Sequence, residues 1–331
     1  MIRLIKVCVI IGVIAVLSFA AYLAYYAKSP LNIPSASQDV SIKANSGLSS
    51  IANQLVEQGV IKNKLLFIVL ARLMGKEASL QAGEYTLNAN VTPYELLLSL
   101  ISGKTTQAKI TFIEGKTFKD MLASLEKNPA VTNTVQQLSY ADIMALINPE
   151  QSHPEGMFFP DTYYFDRGTK DIVLLKRAHE IMTTKLEQAW QGREQGLPYK
   201  NSYEALIMAS IVEKETGMAS ERPMIAGVFV NRMRIGMKLQ TDPTVIYGMG
   251  DGFDGNIRRK DLRKDTNYNT YTRYGLPPTP IAMPSMAAID AALHPAKTKA
   301  LYFVGKGDGS HAFSNSLVDH NRAVAKYQLK R

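Results

Sequence analysis

The sequence predicts an α+β protein that begins with a membrane-spanning helix. Three features point that way. A twenty-residue run near the N-terminus carries no charge, a strand–turn–helix pattern then occurs three times, and two helical stretches later give way to a loop-rich C-terminal third. The chain has 331 residues, 46% of them hydrophobic, enough for two ordinary domains of ~100–200 residues each.

The uncharged run, "VCVIIGVIAVLSFAAYLAYY", covers residues 7–26, and about twenty apolar residues suffice to cross a bilayer. Arg3 and Lys6 precede it and Lys28 follows, so the positive-inside rule leaves the N-terminus in the cytoplasm and exports the remainder. Tyr22, Tyr25 and Tyr26 fall at the far interface. A cleaved signal peptide is the alternative, with "SFA" or "YLA" as cleavage sites, but its apolar region is normally ~7–15 residues; an uncleaved anchor is expected. Cys8 is the one cysteine. The exported part therefore has no disulfide, no thiol catalysis and no cysteine metal site. A net charge of +9 spread over scattered Lys and Arg suits anionic lipid or an acidic envelope polymer rather than nucleic acid.

Residues 29–38, "SPLNIPSASQ", read as a polar linker. The recurring units follow: "VSIKANSGLSSIANQLVEQG", "YTLNANVTPYELLLSLISG" and "KITFIEGKTFKDMLASLEKN", each a short strand, a turn and an amphipathic helix. Ser46, Thr92 and Thr117 are placed as N-caps, with Pro93 at the first helical position of the second helix. An additional apolar helix over 65–74 gives residues 39–88 the order strand–helix–helix–strand. That is the order of a LysM carbohydrate-binding module, although small α+β units of this plan need bind nothing and no aromatic platform is evident. The expected organisation is a cytoplasmic tip and transmembrane helix over 1–28, a linker over 29–38, a LysM-like module over 39–105 and a larger domain over 106–331. Within the last, "HPEGMFFPDTYYF" and a long helix over 171–191 precede the region from residue 202 where unusual residues gather.

Several chemistries are absent from the sequence: no "HExxH", Walker loop, "GxSxG" or dinucleotide glycine pattern occurs. His153, His179, His294, His311 and His320 lack ligand spacing, so neither a metal nor a cofactor is expected. On a helix over 204–217, Ile207, Met208, Ile211 and Val212 form an apolar stripe, and Glu215 falls near its centre. Glu213 points the other way, as a solvated neighbour. A carboxyl group on an apolar face at a helix C-terminus loses hydration and meets the negative end of the helix dipole, and both effects raise its pKa. Such a group can act as a general acid. Otherwise Glu215 simply ends the helix, with Gly217 as C-cap and an arginine partner.

Ser220 in "SERP" is placed to cap the next helix, and the two helices would hold Glu215 over a groove. Gln240, Thr241 and Asp242 then stand before the rigid Pro243, and "YNTYTRYGLPPTPIAMP" adds Tyr268, Asn269, Tyr271 and Tyr274 among prolines. Flat rings and amides on stiff loops suit a polyhydroxylated ligand, whereas packed tyrosines in ordinary turns would explain the prolines alone.

The stretches "ASIVEKETGMASERPMIAGVFVNRMRIGMKLQTDPTVIYGMG", "YNTYTRYGLPP", "AALHPAKTKALYFV" and "HAFSNSLVDHNRAV" resemble the YceG-like (MltG) family of membrane-anchored endolytic murein transglycosylases. The resemblance implies a catalytic domain with a lysozyme-like helical active-site region. It implies a peptidoglycan lytic transglycosylase, a lyase that cleaves the MurNAc–GlcNAc bond of nascent glycan strands, leaves a 1,6-anhydro end and limits strand length. It places the enzyme at the bacterial inner membrane, its catalytic part in the periplasm near glycan-polymerising synthases. Glu215 is the residue implied as general acid and then base, with Gln240, Thr241, Asp242, Tyr247, Asn269, Tyr271 and His311 as substrate-binding candidates. Asp242 is assigned to orienting substrate or nearby amides, because "QTDP" reads as a turn in which an Asp side chain caps the backbone. The alternatives are a lysozyme-like muramidase with Asp242 as second carboxylate, and a non-catalytic wall-binding scaffold.

Overall fold

A computed structural model describes residues 2–103 and 107–329. The side chain of Arg3 and the expected domain boundary between 105 and 106 lie outside the described residues. The protein is mixed α+β, and it divides into one compact unit formed by residues 1–108 with 164–168 and another formed by 109–163 with 169–331.

The first unit starts with α1 (Ile2–Lys28), in which Ile5–Lys28 is long and apolar enough to span a membrane. It continues with β1 (Ser37–Ile42), α2 (Leu48–Glu57), α3 (Lys64–Leu73), β2 (Gly83–Asn88) and α4 (Pro93–Ser102). β1 and β2 pair antiparallel, Val40 opposite Tyr85. Val40, Ile42, Tyr85 and Leu87 point inward and bury against the apolar faces of α2, α3 and α4. The end of α1 belongs to this core, because Leu23 and Ala27 are buried in it. The stretch expected to be a free linker is also packed: Leu31 and Ile33 are buried, and the Leu31 N–H donates to the Val91 carbonyl at 2.8 Å. Two apolar residues set among polar ones were enough to pin it down. Subtracting the packed turns leaves 5–22 outside this core, about 27 Å of apolar helix.

The helix ends follow the capping rules, with one exception in this unit. Thr92 forms a reciprocal capping box with Glu95, and Asn63 caps α3 through Leu65 and Leu66. Ser46 does not cap α2; Gly47 holds that position, and the Ser46 hydroxyl accepts instead from the Gln54 amide at 2.9 Å.

β3 (Ala108–Thr111) and β5 (Thr162–Phe165) straddle the division, and the second unit contains α5 (Phe118–Lys127), β4 (Val131–Thr132), α6 (Tyr140–Ile147), β6 (Thr169–Lys170) and α7 (Asp171–Gln191). After them come α8 (Ser202–Glu215), α9 (Arg222–Arg234), α10 (Asp242–Met249), α11 (Arg259–Arg263), α12 (Met286–Leu293), β7 (Tyr302–Gly305), β8 (His311–Ser314) and α13 (Leu317–Tyr327). β3 lies beside β5 and β4 beside β6, and β7 pairs antiparallel with β8. Thr117 and Asp120 form a capping box on α5. Ser220 caps nothing: it sits in a 3-10 turn over Ala219–Glu221, and α9 begins one residue later with Pro223 in its first turn.

The centre of this unit is α8, packed against α7, α9, α10 and α12. Residues 205–212 are all buried, so the helix is wrapped on every side and the single stripe read from the sequence is only part of its buried surface. α9 comes so close to the chain after α12 that a Cβ on Gly227 would lie 2.6 Å from the Ala296 carbonyl oxygen. Gly227→Ala is expected to lower the unfolding free energy by about 1–3 kcal/mol despite alanine's better helix propensity, as read by denaturant titration.

Candidate active site

α8 ends by placing two glutamates in different surroundings. Glu213 is not solvated. Its side chain is 7% exposed and pairs with Arg222 of α9 at 3.3 Å. The other carboxylate oxygen accepts from the Ser285 N–H at 3.0 Å and the Ser285 hydroxyl at 2.5 Å. Ser285 is also the N-cap of α12. Glu213 therefore fastens the end of α8 to the starts of α9 and α12, a role that helical spacing could not show because both partner residues lie outside its helix.

Glu215, two residues further on, keeps part of its surface accessible and accepts a hydrogen bond from the Thr241 hydroxyl. Burial pushes its carboxyl up to about 7. The Thr241 bond, the nearby His311 and the Arg232 guanidinium act against that rise, while the nearby Asp242 carboxylate adds to it. The C-cap is Thr216, extended rather than left-handed, with its hydroxyl accepting from Met218 N–H at 3.0 Å. Gly217 is not the cap.

The loop that brings Thr241 to Glu215 is fixed by threonines and one arginine. The Thr241 N–H donates to the Thr270 hydroxyl at 3.0 Å, and the hydroxyls of Thr244 and Thr270 are 2.9 Å apart. Gln240 adopts φ +51°, an uncommon left-handed conformation for a residue other than glycine. Its N–H donates to the Thr270 carbonyl at 3.1 Å, which leaves its side chain exposed at the loop tip. From α9, the buried Arg232 donates to the carbonyls of Leu301 at 2.6 Å and Leu239, and lies over the Tyr302 ring at 5.5 Å. Arg232 and Thr270 were not singled out in the sequence, where nothing distinguishes them from surface residues.

The remaining candidates separate into two groups. Asp242 does not cap backbone; it opens α10, and its carboxylate accepts from the Tyr271 hydroxyl at 2.6 Å. Burial and that bond raise the Tyr271 pKa. His311, on β8, is held by Glu221, whose carboxylate meets its Nδ1 at 2.7 Å and accepts its backbone N–H at 2.9 Å. Asn269 is out of reach of any ligand. It is fully buried, its amide donates to the carbonyls of Asp261, Leu262 and Lys264, and its oxygen accepts from Tyr271 N–H at 2.8 Å. It shapes the loop that carries Tyr271. Tyr247 faces another way, donating to Glu155 at 3.1 Å. Glu155, from "HPEGMFFPDTYYF", is 4% exposed and, like Glu215, is pushed up to about 7 by burial; it was not a sequence candidate. Among the described residues no group of His, Cys, Asp and Glu is arranged to hold a metal.

The two carboxyls at the end of α8 are expected to affect stability in opposite ways. Removing one partner of a buried pair strands the other, so Glu213→Ala should cost roughly 3–5 kcal/mol of unfolding free energy. Glu215 is protonated in the folded state up to about pH 7, but the unfolded chain loses that proton near 4.5. Its contribution is therefore full below pH 4.5 and lost as pH rises through 7, and Glu215→Gln escapes that loss. At ~1.4 kcal/mol per pH unit, the variant should gain up to about 3 kcal/mol on wild type between pH 5 and pH 8 in paired denaturation curves.

Residues 40–326 match the YceG-like family. A Bacillus subtilis (strain 168) protein named endolytic murein transglycosylase is 33% identical over 311 residues, spanning 87% of this chain and 84% of that protein. A Streptococcus pneumoniae (strain D39) protein of the same name is 28% identical over 323 residues, and the match spans 87% of this chain but 58% of the longer pneumococcal protein. The crystal structure of a YceG-like protein from Listeria monocytogenes, at 2.6 Å, superposes with a TM-score of 0.56 and 29% identity, over 87% of this chain and 98% of that one. The family match takes in the whole of α8, with Glu213 and Glu215 at its end, and the threonine-braced loop, and this chain belongs to the YceG-like family.

Proposed function

We propose that the protein is a peptidoglycan lytic transglycosylase that cuts within glycan strands at the MurNAc–GlcNAc bond. The observation that carries this reading is the setting of Glu215: a carboxyl desolvated at the end of a buried helix, hydrogen-bonded to Thr241 and partly open to the surface. The relatives named endolytic murein transglycosylase point to the same chemistry.

In this reading Glu215, protonated, gives its proton to the glycosidic oxygen as the C1–O bond breaks and an oxocarbenium-like state develops. The C6 hydroxyl of the same MurNAc then attacks C1 and returns its proton to Glu215. The product is a 1,6-anhydro end, and the carboxyl is restored without water, metal or cofactor. Tethering of nucleophile and electrophile within one sugar supplies effective concentration. A pKa near neutrality serves both steps, since one group must donate and then accept. Gln240, Tyr271 and His311 are assigned to substrate contact, Asp242 to holding the Tyr271 hydroxyl. The muramidase alternative needs Asp242 as second carboxylate, whereas one of its oxygens is taken by Tyr271.

The same reading makes residues 39–105 a LysM-like wall-binding module and 106–331 the catalytic domain, with a lysozyme-like arrangement around α8. α1 becomes a single-pass anchor with its N-terminus in the cytoplasm and the rest in the periplasm, where glycan-polymerising synthases supply nascent strands whose length the enzyme limits.

Glu215→Gln should abolish cleavage of purified uncrosslinked strands while the fold is retained, and wild-type products should carry anhydro ends; products with reducing ends, one water heavier, would make the enzyme a hydrolase. The kcat/KM of the wild type should fall above about pH 7 as Glu215 ionises. Thr241→Val removes an interaction that lowers the Glu215 pKa and should move this limb to higher pH, whereas Asp242→Asn removes one that raises it and should move the limb lower.

A further inference from the structure

The second unit also holds a cavity of about 1100 Å³ that the glutamate site does not account for. Such a volume is at the upper end of ligand sites, which run to ~1,000 Å³, and exceeds what one monosaccharide fills. Its walls come from the start of α5, the start of α6, the segment around Glu155 and one side of α10. Lys214 and Pro243 line it, and their chain neighbours are Glu215 and Asp242. The cavity and the proposed catalytic carboxyl are thus built on the same two peptide segments.

Glu155 forms the floor. One oxygen accepts from the Phe118 N–H at 3.0 Å and the other from the Tyr247 hydroxyl at 3.1 Å, which joins the first turn of α5 to α10. The next residue, Gly156, has φ +77°, and a Cβ there would lie 2.4 Å from Pro280 Cβ; only glycine lets the backbone seat Glu155 at this depth. The remaining lining mixes aliphatic side chains such as Ile246 and Ile281 with four aromatic rings and two lysines that have carboxylates near them. Tyr140 is 42% exposed and braced edge-on by Phe118 at 5.2 Å. Tyr247 meets Tyr268 edge-on at 4.8 Å, and Phe253 lies at the far wall. Lys119 is paired with Asp251 at 2.5 Å, and Lys214, whose ammonium donates to the Gly115 carbonyl at 3.1 Å, has the Asp120 carboxylate in its electrostatic neighbourhood, so a strongly charged ligand finds little net counter-charge. Ring faces with a few fixed polar groups suit a neutral polyhydroxylated ligand.

We propose that this cavity receives N-acetylhexosamine units of the glycan strand whose scissile bond lies at Glu215, with Tyr140 and Phe253 as stacking surfaces and the Glu155–Tyr247 pair as hydrogen-bonding floor. The proposal rests on the reading of the protein as a glycan-strand enzyme and names where the strand runs beyond the cleaved bond.

The test uses full-length Glu215→Gln protein in detergent, which binds without turnover, titrated with uncrosslinked glycan strands either stripped of or bearing peptide stems. Tyr140→Ala and Phe253→Ala, each added to Glu215→Gln, should weaken binding of stripped strands at least about fivefold, the scale of losing one buried aromatic contact, with the thermal midpoint unchanged. Glu155→Ala should weaken it too, and Glu155→Gln, which keeps an acceptor for Phe118, should restore it. Unchanged affinity in both aromatic variants would overturn the proposal, as would no binding of stripped strands to Glu215→Gln, or an aromatic effect confined to stem-bearing strands. Failure of the lytic reading shows separately, in the products of the wild type.

Discussion

The arrangement of the second unit turns on one carboxyl group kept from water. Glu215 can be desolvated because α8 is enclosed by four other helices, and it can still meet a ligand because it stands at the last residue of that helix, where the packing ends. Ionising it there is costly, and only the Thr241 hydroxyl bond, His311 and the Arg232 guanidinium oppose that cost. The surroundings are consequently built to hold Thr241 in place. Thr270, Thr244 and Arg232 spend their polar groups on the loop from 239 to 241, and Gln240 takes a left-handed backbone conformation within it.

Glu213 shows what a buried carboxylate does when it is fully partnered. Two residues away on the same helix, it meets a guanidinium and two donors from Ser285. Such a pair contributes little net stability over an apolar replacement, yet is costly to break, which suits a clamp that fixes where three helices meet. In the proposed reading, chemistry and clamping are thus divided between two acids of the same type, and the division is made by what stands opposite each one.

In the first unit the constraint is continuity. The helix that is apolar enough to enter a membrane ends as part of the folded core, through Leu23 and Ala27, and the chain after it is stitched on by Leu31 and Ile33. The module therefore begins without a free spacer. Its small sheet gains its stability from three helices packed on one face, since a two-stranded hairpin alone is marginal in water.

Much of this was legible in the amino-acid sequence because it depends on local chemistry. Uncharged residues 7–26 specify a helix suited to lipid, Thr92 and Thr117 announce helix starts with their own side chains, and the 171–191 helix follows from its residue pattern. The distinction of Glu215 also came from spacing along one helix. Local rules misplaced Ser46 and Ser220, where a glutamine and a 3-10 turn intervene. They read Asn269 as a ligand contact although three carbonyls of the preceding turn consume its amide. They also missed Glu155, whose burial and partner Tyr247, 92 positions away, exist only after folding. The sequence by itself determined which segments become helices and which acid shares an apolar stripe, because those follow from neighbours within one turn. Only the tertiary structure decided which polar groups are solvated, paired or left facing a cavity, because desolvation and hydrogen bonding depend on residues that the chain brings together from far apart.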